Sequence, residues 1–137
     1  MFTTLLEPDE LLVEASFPNM PPRTGWALQE VARRPNDFAL VGVAAVVTLD
    51  KKNQCQKARI VFLSVGDGPV EAHRAAETLT GQTLTPEIIH AAAETAATAD
   101  IDPGSDIHAS AEYRRRLAEV LTRRALDAAF ERAKGSS

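Results

Sequence analysis

This 137-residue chain has few residues that could support nucleophilic, metal or histidine acid–base chemistry, and these residues are widely separated. Its three histidines, His73, His90 and His108, fall in separate predicted elements and lack the spacing of metal ligands. The single cysteine, Cys55, excludes disulfides within the chain, thiolate-ligated iron–sulfur clusters, and zinc sites built on cysteine pairs. The motifs of serine hydrolases, phosphate-loop enzymes and zinc proteases do not occur. The sequence therefore predicts no catalytic residue and no metal site.

A few residues have the chemistry of a ligand contact, and each also has a simpler interpretation. Asp37 ends the turn sequence Arg-Arg-Pro-Asn-Asp, where its carboxylate either accepts backbone N–H bonds or contacts a ligand. The segment Gly66–Gly68 precedes a predicted helix and could bind an anion, but it is short and contains an acid, which favours an ordinary turn. Trp26, the only tryptophan, either packs in or beside the core or stacks on a ligand.

The element that must position Asp37 is the apolar run Phe38–Leu49, the longest in the chain. Its recurring valines and its lack of charge favour a strand over a helix. Read with a period of about two, both faces of this strand are apolar, which predicts a central strand covered on both sides. Gly42 and Ala44 leave a shallow strip on one face, and either a packed helix or a ligand or partner domain would approach it closely.

The other elements are read from hydrophobic periodicity and from turn and cap residues, with Thr85 and Ser110 as the caps of the second and third helices. Alternating apolar and polar residues predict three further strands, and helical periodicity begins at Pro69. The sequence thus predicts one α+β domain over residues 1–137, with a four-stranded, mostly antiparallel sheet followed by three helices packed on one face. The predicted bounds are about 10–17, 25–33, 38–49 and 56–65 for the strands, and about 69–80, 86–99 and 110–133 for the helices.

Composition and charge narrow the class of protein. The hydrophobic content of 45% and charged content of 25% are those of an ordinary soluble domain, and the net charge of −4 argues against nucleic acid as the main partner. Arginines 114–116 and 123–124 of the last helix are expected mainly outside its buried stripe, as a solvated face or a docking surface for an acidic partner subunit. No apolar run approaches the roughly 20 residues of a membrane span, and no signal-peptide core is present, so a cytoplasmic protein is expected.

Three blocks of the sequence, in the same order, resemble a known family. The first, Arg-Arg-x-x-Asp-Phe-Ala at residues 33–39, is similar to the signature R-x-x-D-[FY]-A. The second is G-x-G-P-x-x-x-x-x-A-A-E-x-L-x-G at residues 66–81, and the third is S-A-E-Y-R-R-x-L at residues 110–117. Together they resemble the C-terminal domain of the FAD-binding medium subunit of molybdenum hydroxylases, the family of carbon monoxide dehydrogenase and xanthine dehydrogenase.

The resemblance implies part of an oxidoreductase without a complete active site. In such a subunit a preceding region would bind most of the FAD, and Leu28, Asp37, Phe38 and Leu40 would face the isoalloxazine ring. Electrons would pass from an iron–sulfur small subunit through FAD to an acceptor, and a molybdopterin large subunit would complete the enzyme. Eukaryotic xanthine dehydrogenases look to have a lysine where this chain has Leu40, so the resemblance implies that a cationic contact to the flavin pyrimidine is absent here.

Two functions follow from these observations. In the first, the chain forms one wall of the FAD site and part of the subunit contact; in the second, it is a stand-alone protein-interaction domain of the same fold with no flavin role. The chain lacks the glycine-rich segments that bind the FAD diphosphate, so we expect it to bind no FAD tightly by itself. A nucleic-acid binder that uses the arginine-rich helix is a weaker third candidate, and self-association into a homo-oligomer is compatible with the first two.

Overall fold

The computed structural model describes residues 6–135, in which an antiparallel sheet is followed by helices. The sheet has four strands in the order β1-β2-β3-β4, each antiparallel to its neighbour. The predicted α+β arrangement, with four strands and then three helices on one face, is confirmed. The strands are β1 Thr24–Ala32, β2 Ala39–Leu49, β3 Cys55–Leu63 and β4 Val70–Glu71; the helices are α1 His73–Leu79, α2 Pro86–Thr95, which a π-helical turn Ala96–Asp100 extends, and α3 Ala111–Gly135.

The strand predicted at residues 10–17 is not a strand in this structure. Leu11, Val13 and Phe17 lie in an irregular segment and are 81%, 86% and 86% exposed. Alternation of apolar and polar residues shows which face a strand would bury, but a strand also needs a neighbour with which to form hydrogen bonds. Residues 6–135 supply no such neighbour to this segment.

The fourth strand lies instead within the stretch that the sequence assigns to the first helix. Only Val70 and Glu71 form β4, at the edge of β3. Arg59 of β3 donates two hydrogen bonds of 2.9 Å to the Glu71 carboxylate, which ties the two strands together. The predicted start of α1 near residue 69 is therefore wrong, and the helix begins at His73.

The helix starts depend on side-chain oxygens that accept exposed backbone N–H groups. Thr85 caps α2 and Ser110 caps α3, each accepting from the N–H three residues ahead, at 3.4 and 3.2 Å. The cap of α1 comes from a distant residue, because the Asp100 carboxylate accepts the N–H groups of Arg74 and Ala75 at 3.1 and 2.9 Å. The caps of α2 and α3 agree with those read from the sequence.

The core lies between one face of the sheet and the helices. β2 is the central strand, as predicted, and its residues Val41, Val43 and Val47 are fully buried on this face. Helix α3 packs against β1 and β2, α1 packs against β3, and α2 packs against both α1 and α3. Other buried members of the core are Ala27, Ile60, Phe62, Leu79, Leu121 and Leu126.

The opposite face of the sheet is not covered by any helix in residues 6–135, and we call it the open face. Its apolar residues are Trp26 and Leu28 of β1, Ala44 and Val46 of β2, and Val61 and Leu63 of β3, and its polar ones include Glu30, Thr48, Lys57 and Arg59. Trp26 and Leu28 are 53% and 51% exposed, and Ala44 and Val46 are only partly buried. The prediction that β2 is covered on both sides is wrong, and no helix packs over Ala44. The alternative from the sequence, a ligand or a partner domain on this face, remains.

Gly25 marks a very close contact between β1 and α3. A Cβ added at this position would lie 1.9 Å from the Ala129 carbonyl oxygen and 2.5 Å from the Ala133 nitrogen, which are backbone atoms that cannot rotate away. We predict that Gly25→Ala lowers the free energy of unfolding by about 3 kcal/mol, at the upper end of the usual cost of overpacking. Urea denaturation followed by circular dichroism measures this change.

Gly68→Ala is the matched control, because no atom lies within 4 Å of a Cβ added there. Alanine at this position should leave the free energy of unfolding unchanged or raise it by up to ~1 kcal/mol through the unfolded state. If the two variants are equally stable, β1 and α3 do not pack as closely as described.

Candidate functional site

A cleft of about 470 Å³ opens at the end of the sheet where β2 begins and β3 ends. Asp37, Phe38 and Leu40 line one part of it, and the loop Gly66–Asp67 after β3 lines another. The loop 104–108 and Arg114 of α3 complete the lining. The structure thus brings three of the four residues implied to face a flavin into one cleft.

The turn between β1 and β2 presents Asp37 and Phe38 at this cleft. Asn36 has φ +63°, a left-handed conformation that asparagine tolerates, and the N–H of Asp37 donates to the Arg34 carbonyl at 3.2 Å. The Asp37 carboxylate accepts the N–H of Phe38 at 2.9 Å and lies 3.5 Å from the guanidinium of Arg33. Asp37 therefore has the turn-stabilising role that its sequence context suggests, while the neighbouring Phe38 ring is 91% exposed.

Leu40 reaches the cleft because β2 has a bulge at its start. Val31 lies opposite Val41 and Ala32 lies opposite Ala39, which leaves Leu40 as the extra residue of β2. A bulge changes the direction of the side chain it carries. Leu40 is only 8% exposed and adds an apolar, uncharged surface to the cleft lining.

Arg114 is a buried cation beside the cleft, with 7% of its surface exposed. Its Nη1 donates to the carbonyl oxygens of Leu40 at 2.5 Å and Ser64 at 3.2 Å, and its Nη2 donates to Asp106 Oδ2 at 2.6 Å. The expectation that this arginine lies outside the buried stripe of α3 is wrong. Helical periodicity shows only which side of α3 carries Arg114. Its carbonyl and carboxylate partners come from distant parts of the chain, and their hydrogen bonds offset the cost of burying the charge.

Asp106 is the carboxylate that pairs with Arg114. Its Oδ1 accepts the N–H groups of His108 and Ala109 at 2.8 and 2.9 Å. The hydrogen bonds from His108 and Ala109, and after them the contact with Arg114, lower the pKa of Asp106 from 3.8 to about 2. Asp106 is therefore ionised at neutral pH and connects the loop before α3 to the guanidinium.

Leu28 is the one residue of the implied flavin contacts that does not line the cleft. It lies on the open face, opposite Ala44 of β2. Trp26 lies on the same face, and the Arg132 guanidinium is 5.0 Å from the centre of its ring, within the range of a cation–π interaction. The candidate site therefore has two parts, the cleft and the open face.

The other candidate groups do not form a site within residues 6–135. The three histidines are exposed and lie in separate segments. No group of three or more histidine, cysteine or acidic side chains in this range is placed to hold a metal ion. Cys55 is buried, and burial raises the pKa of its thiol to about 11, so it is a poor nucleophile. The helices in this range are too short or too polar to cross a membrane.

The chain matches the family model described as the CO dehydrogenase flavoprotein C-terminal domain over residues 26–129. It is 37% identical over 133 residues to the 6-hydroxypseudooxynicotine dehydrogenase complex subunit alpha of Paenarthrobacter nicotinovorans, which covers 97% of this chain and 45% of that protein. It is 34% identical over 131 residues to the carbon monoxide dehydrogenase medium chain of Hydrogenophaga pseudoflava, which covers 96% of this chain and 45% of that protein. The chain spans less than half the length of these curated relatives.

A solved structure supports the same relationship. The chain superposes on carbon monoxide dehydrogenase from Hydrogenophaga pseudoflava with a TM-score of 0.78 and 30% sequence identity. That structure lacks the Mo-pyranopterin moiety of the molybdenum cofactor, and the superposition covers 84% of this chain and 39% of that chain. The turn 33–38 and Arg114 lie within the range matched by the family model, whereas residues 6–23 precede it.

We predict that Asp106 titrates near pH 2 in the folded chain. Because its pKa is lowered from 3.8, the stabilisation from its hydrogen bonds is fully present above about pH 3.8 and is lost as the pH falls through about 2. An NMR titration that follows the Asp106 carboxyl carbon and the amide protons of His108 and Ala109 measures the midpoint. Asp106→Asn should abolish this titration, and a midpoint near 3.8 in the parent chain would contradict the hydrogen-bonded arrangement.

Proposed function

Because the chain belongs to the family of CO dehydrogenase flavoprotein C-terminal domains, we propose that it is the C-terminal part of the flavin-carrying subunit of a molybdenum hydroxylase. In this role it forms one wall of the FAD site and part of the contact between subunits. The observation that carries the proposal is the exposure of Phe38 at the cleft and of Leu28 on the open face, at 91% and 51%. Large apolar side chains at such exposure are suited to cover a ligand or partner surface.

The residues present fit the ring of FAD better than its diphosphate. Phe38 and Leu28 offer apolar contact to a flat aromatic ring, and the Asp37 carboxylate offers a hydrogen-bond acceptor beside the cleft. The short loop at Gly66 carries the acidic residue Asp67, which disfavours a phosphate there through like-charge repulsion. This chain therefore takes the ring side of the site in our proposal, and a preceding region binds the diphosphate.

The residues proposed to contact FAD have different roles. FAD, when bound, supplies electron transfer between iron–sulfur clusters and an acceptor. Phe38 binds the ring at the cleft and excludes water from it, and Leu28 contacts the cofactor from the open face. Asp37 accepts a hydrogen bond from a ring N–H, and its contacts with the Phe38 N–H and Arg33 hold the carboxylate in place for this. Leu40 adds no charge, so the flavin receives no cation from this position.

Partners follow from the surfaces that the chain leaves uncovered. The preceding FAD-binding region of the same subunit is proposed to pack against the open face, and a molybdopterin large subunit and an iron–sulfur small subunit to contact the remaining surface. Arg123 and Arg124 are exposed on α3, where they suit an acidic partner surface. The length of the relatives beyond the matched part leaves room for such a region in a complete subunit.

A chimera tests the proposed function directly. This chain replaces the matched stretch of the Hydrogenophaga pseudoflava medium chain, and the purified chimera is assayed for bound flavin by its visible absorption. We expect the chimera to retain flavin, and Phe38→Ala to weaken retention at least tenfold because an exposed apolar contact is lost, which corresponds to about 1.4 kcal/mol.

Tyr113→Ala is the matched control, since Tyr113 is an exposed aromatic residue of α3 that does not line the cleft. It should leave flavin retention unchanged. If Leu28→Ala and Phe38→Ala both fold and retain flavin like the parent chimera, the wall role is wrong, and the stand-alone interaction domain becomes the better interpretation.

The isolated chain is predicted to bind FAD only weakly. Contacts from Leu28, Phe38 and Leu40 would bury about 100 Å² of ring, worth roughly 2–3 kcal/mol, which the entropic cost of association largely cancels. A dissociation constant in the millimolar range or weaker follows. Titration of FAD, followed by its fluorescence and by the emission of Trp26 on the open face, measures the constant. Saturable binding in the micromolar range would contradict the prediction.

A further inference from the structure

Arg114 connects three segments that are far apart in the sequence. Through Nη1 it binds the start of β2 at the Leu40 carbonyl, 2.5 Å away, and the end of β3 at the Ser64 carbonyl, 3.2 Å away. Through Nη2 it binds Asp106 in the loop before α3 at 2.6 Å. All three segments line the cleft, so one side chain joins its walls.

The two carbonyl groups that Arg114 binds belong to irregular parts of the backbone. Leu40 is the extra residue of the β2 bulge, where the regular ladder is interrupted. Ser64 has φ +61°, a left-handed conformation that a serine adopts rarely. Backbone of this kind keeps one arrangement only when its surroundings hold it, and the guanidinium is positioned to do so.

From this geometry we infer that Arg114 is a positioning residue, which sets the place of the turn 33–38 and thereby of Asp37 and Phe38 at the cleft. The inference rests on the proposed function for its link to FAD. Only Ala39 separates Phe38 from Leu40, so a shift of the Leu40 carbonyl moves Phe38 as well. Arginine suits this role because its planar fork of donors reaches two carbonyl groups and a carboxylate at once, whereas a lysine ammonium is a single point of charge.

The test uses Arg114→Lys and Arg114→Gln, with Arg116→Gln as the matched control. Arg116 lies on the same helix; its side chain is 75% exposed, and among residues 6–135 its ion-pair partner is Glu112 alone, at 3.0 Å. Asp106→Asn is the second variant, since it removes the negative charge beside Arg114 but leaves the two carbonyl bonds and the charge of the guanidinium.

The first measurement is amide hydrogen exchange of the chain, resolved by residue. Both Arg114 variants should speed exchange at residues 37–40 and 64–66 at least tenfold, while the β1–β2 ladder between residues 25 and 47 keeps its protection. Asp106→Asn should change exchange mainly at residues 106–109. Unchanged exchange at 37–40 in a folded Arg114→Lys variant would overturn the inference, and so would an equal increase over the whole sheet.

The second measurement is the reduction potential and the visible spectrum of flavin in the chimera described above. Arg114→Lys should shift both and Arg116→Gln should not, because only the first displaces the turn. If Phe38→Ala alters the flavin and Arg114→Lys does not, the positioning role is wrong and the proposed function stands. If Arg114→Lys speeds hydrogen exchange at the turn but neither Arg114→Lys nor Phe38→Ala alters the flavin, the proposed function is wrong. Arg114 then positions the turn for another ligand.

Discussion

One end of this fold depends on a single buried positive charge. The guanidinium of Arg114 lies among two backbone carbonyls and the Asp106 carboxylate, which accept hydrogen bonds from Nη1 and Nη2 in place of water. Removing the Asp106 carboxylate, which is itself 48% exposed, would leave the buried guanidinium without its counter-charge. The start of β2, the end of β3 and the loop before α3 therefore keep their relative positions only as a set. The cleft that carries Asp37 and Phe38 is a consequence of this arrangement.

The sequence allowed prediction of those parts of the fold whose signals are local. The apolar run of β2, the turn at Asn36 and the caps Thr85 and Ser110 are each encoded within a few residues, and the structure has all of them. The errors arose where partners are distant. Residues 10–17 alternate like a strand but have no neighbouring strand in the described range, and β4 forms where Val70 and Glu71 pair with the distant β3. The role of Arg114 could not be predicted from helical periodicity, since its partners come from three other segments.

The open face is the feature in which this domain differs from a typical soluble monomer. Soluble monomers rarely leave a contiguous apolar surface uncovered unless it binds something. Here Ala44 and Val46 are only partly buried in the middle of the sheet, and Trp26 and Leu28 are exposed at its β1 edge. The chain spans 45% of the length of two relatives, and the open face agrees with our proposal that it covers one side of a larger subunit. The helical side is complete, and its core includes residues from all three helices.

The contact between Gly25 and Ala129 also determines the order in which the chain can fold. Gly25 lies at the start of β1, near the beginning of the described chain, while Ala129 lies near the end of α3. On the ribosome the strands of the meander are synthesised first and can pair as hairpins, since their contacts are close in sequence. The apolar face of β1 and β2 then stays exposed until α3, the last element of the described chain, has been synthesised and covers it. During that interval both faces of the sheet are exposed, which makes the nascent domain a natural client for chaperones that bind apolar strands.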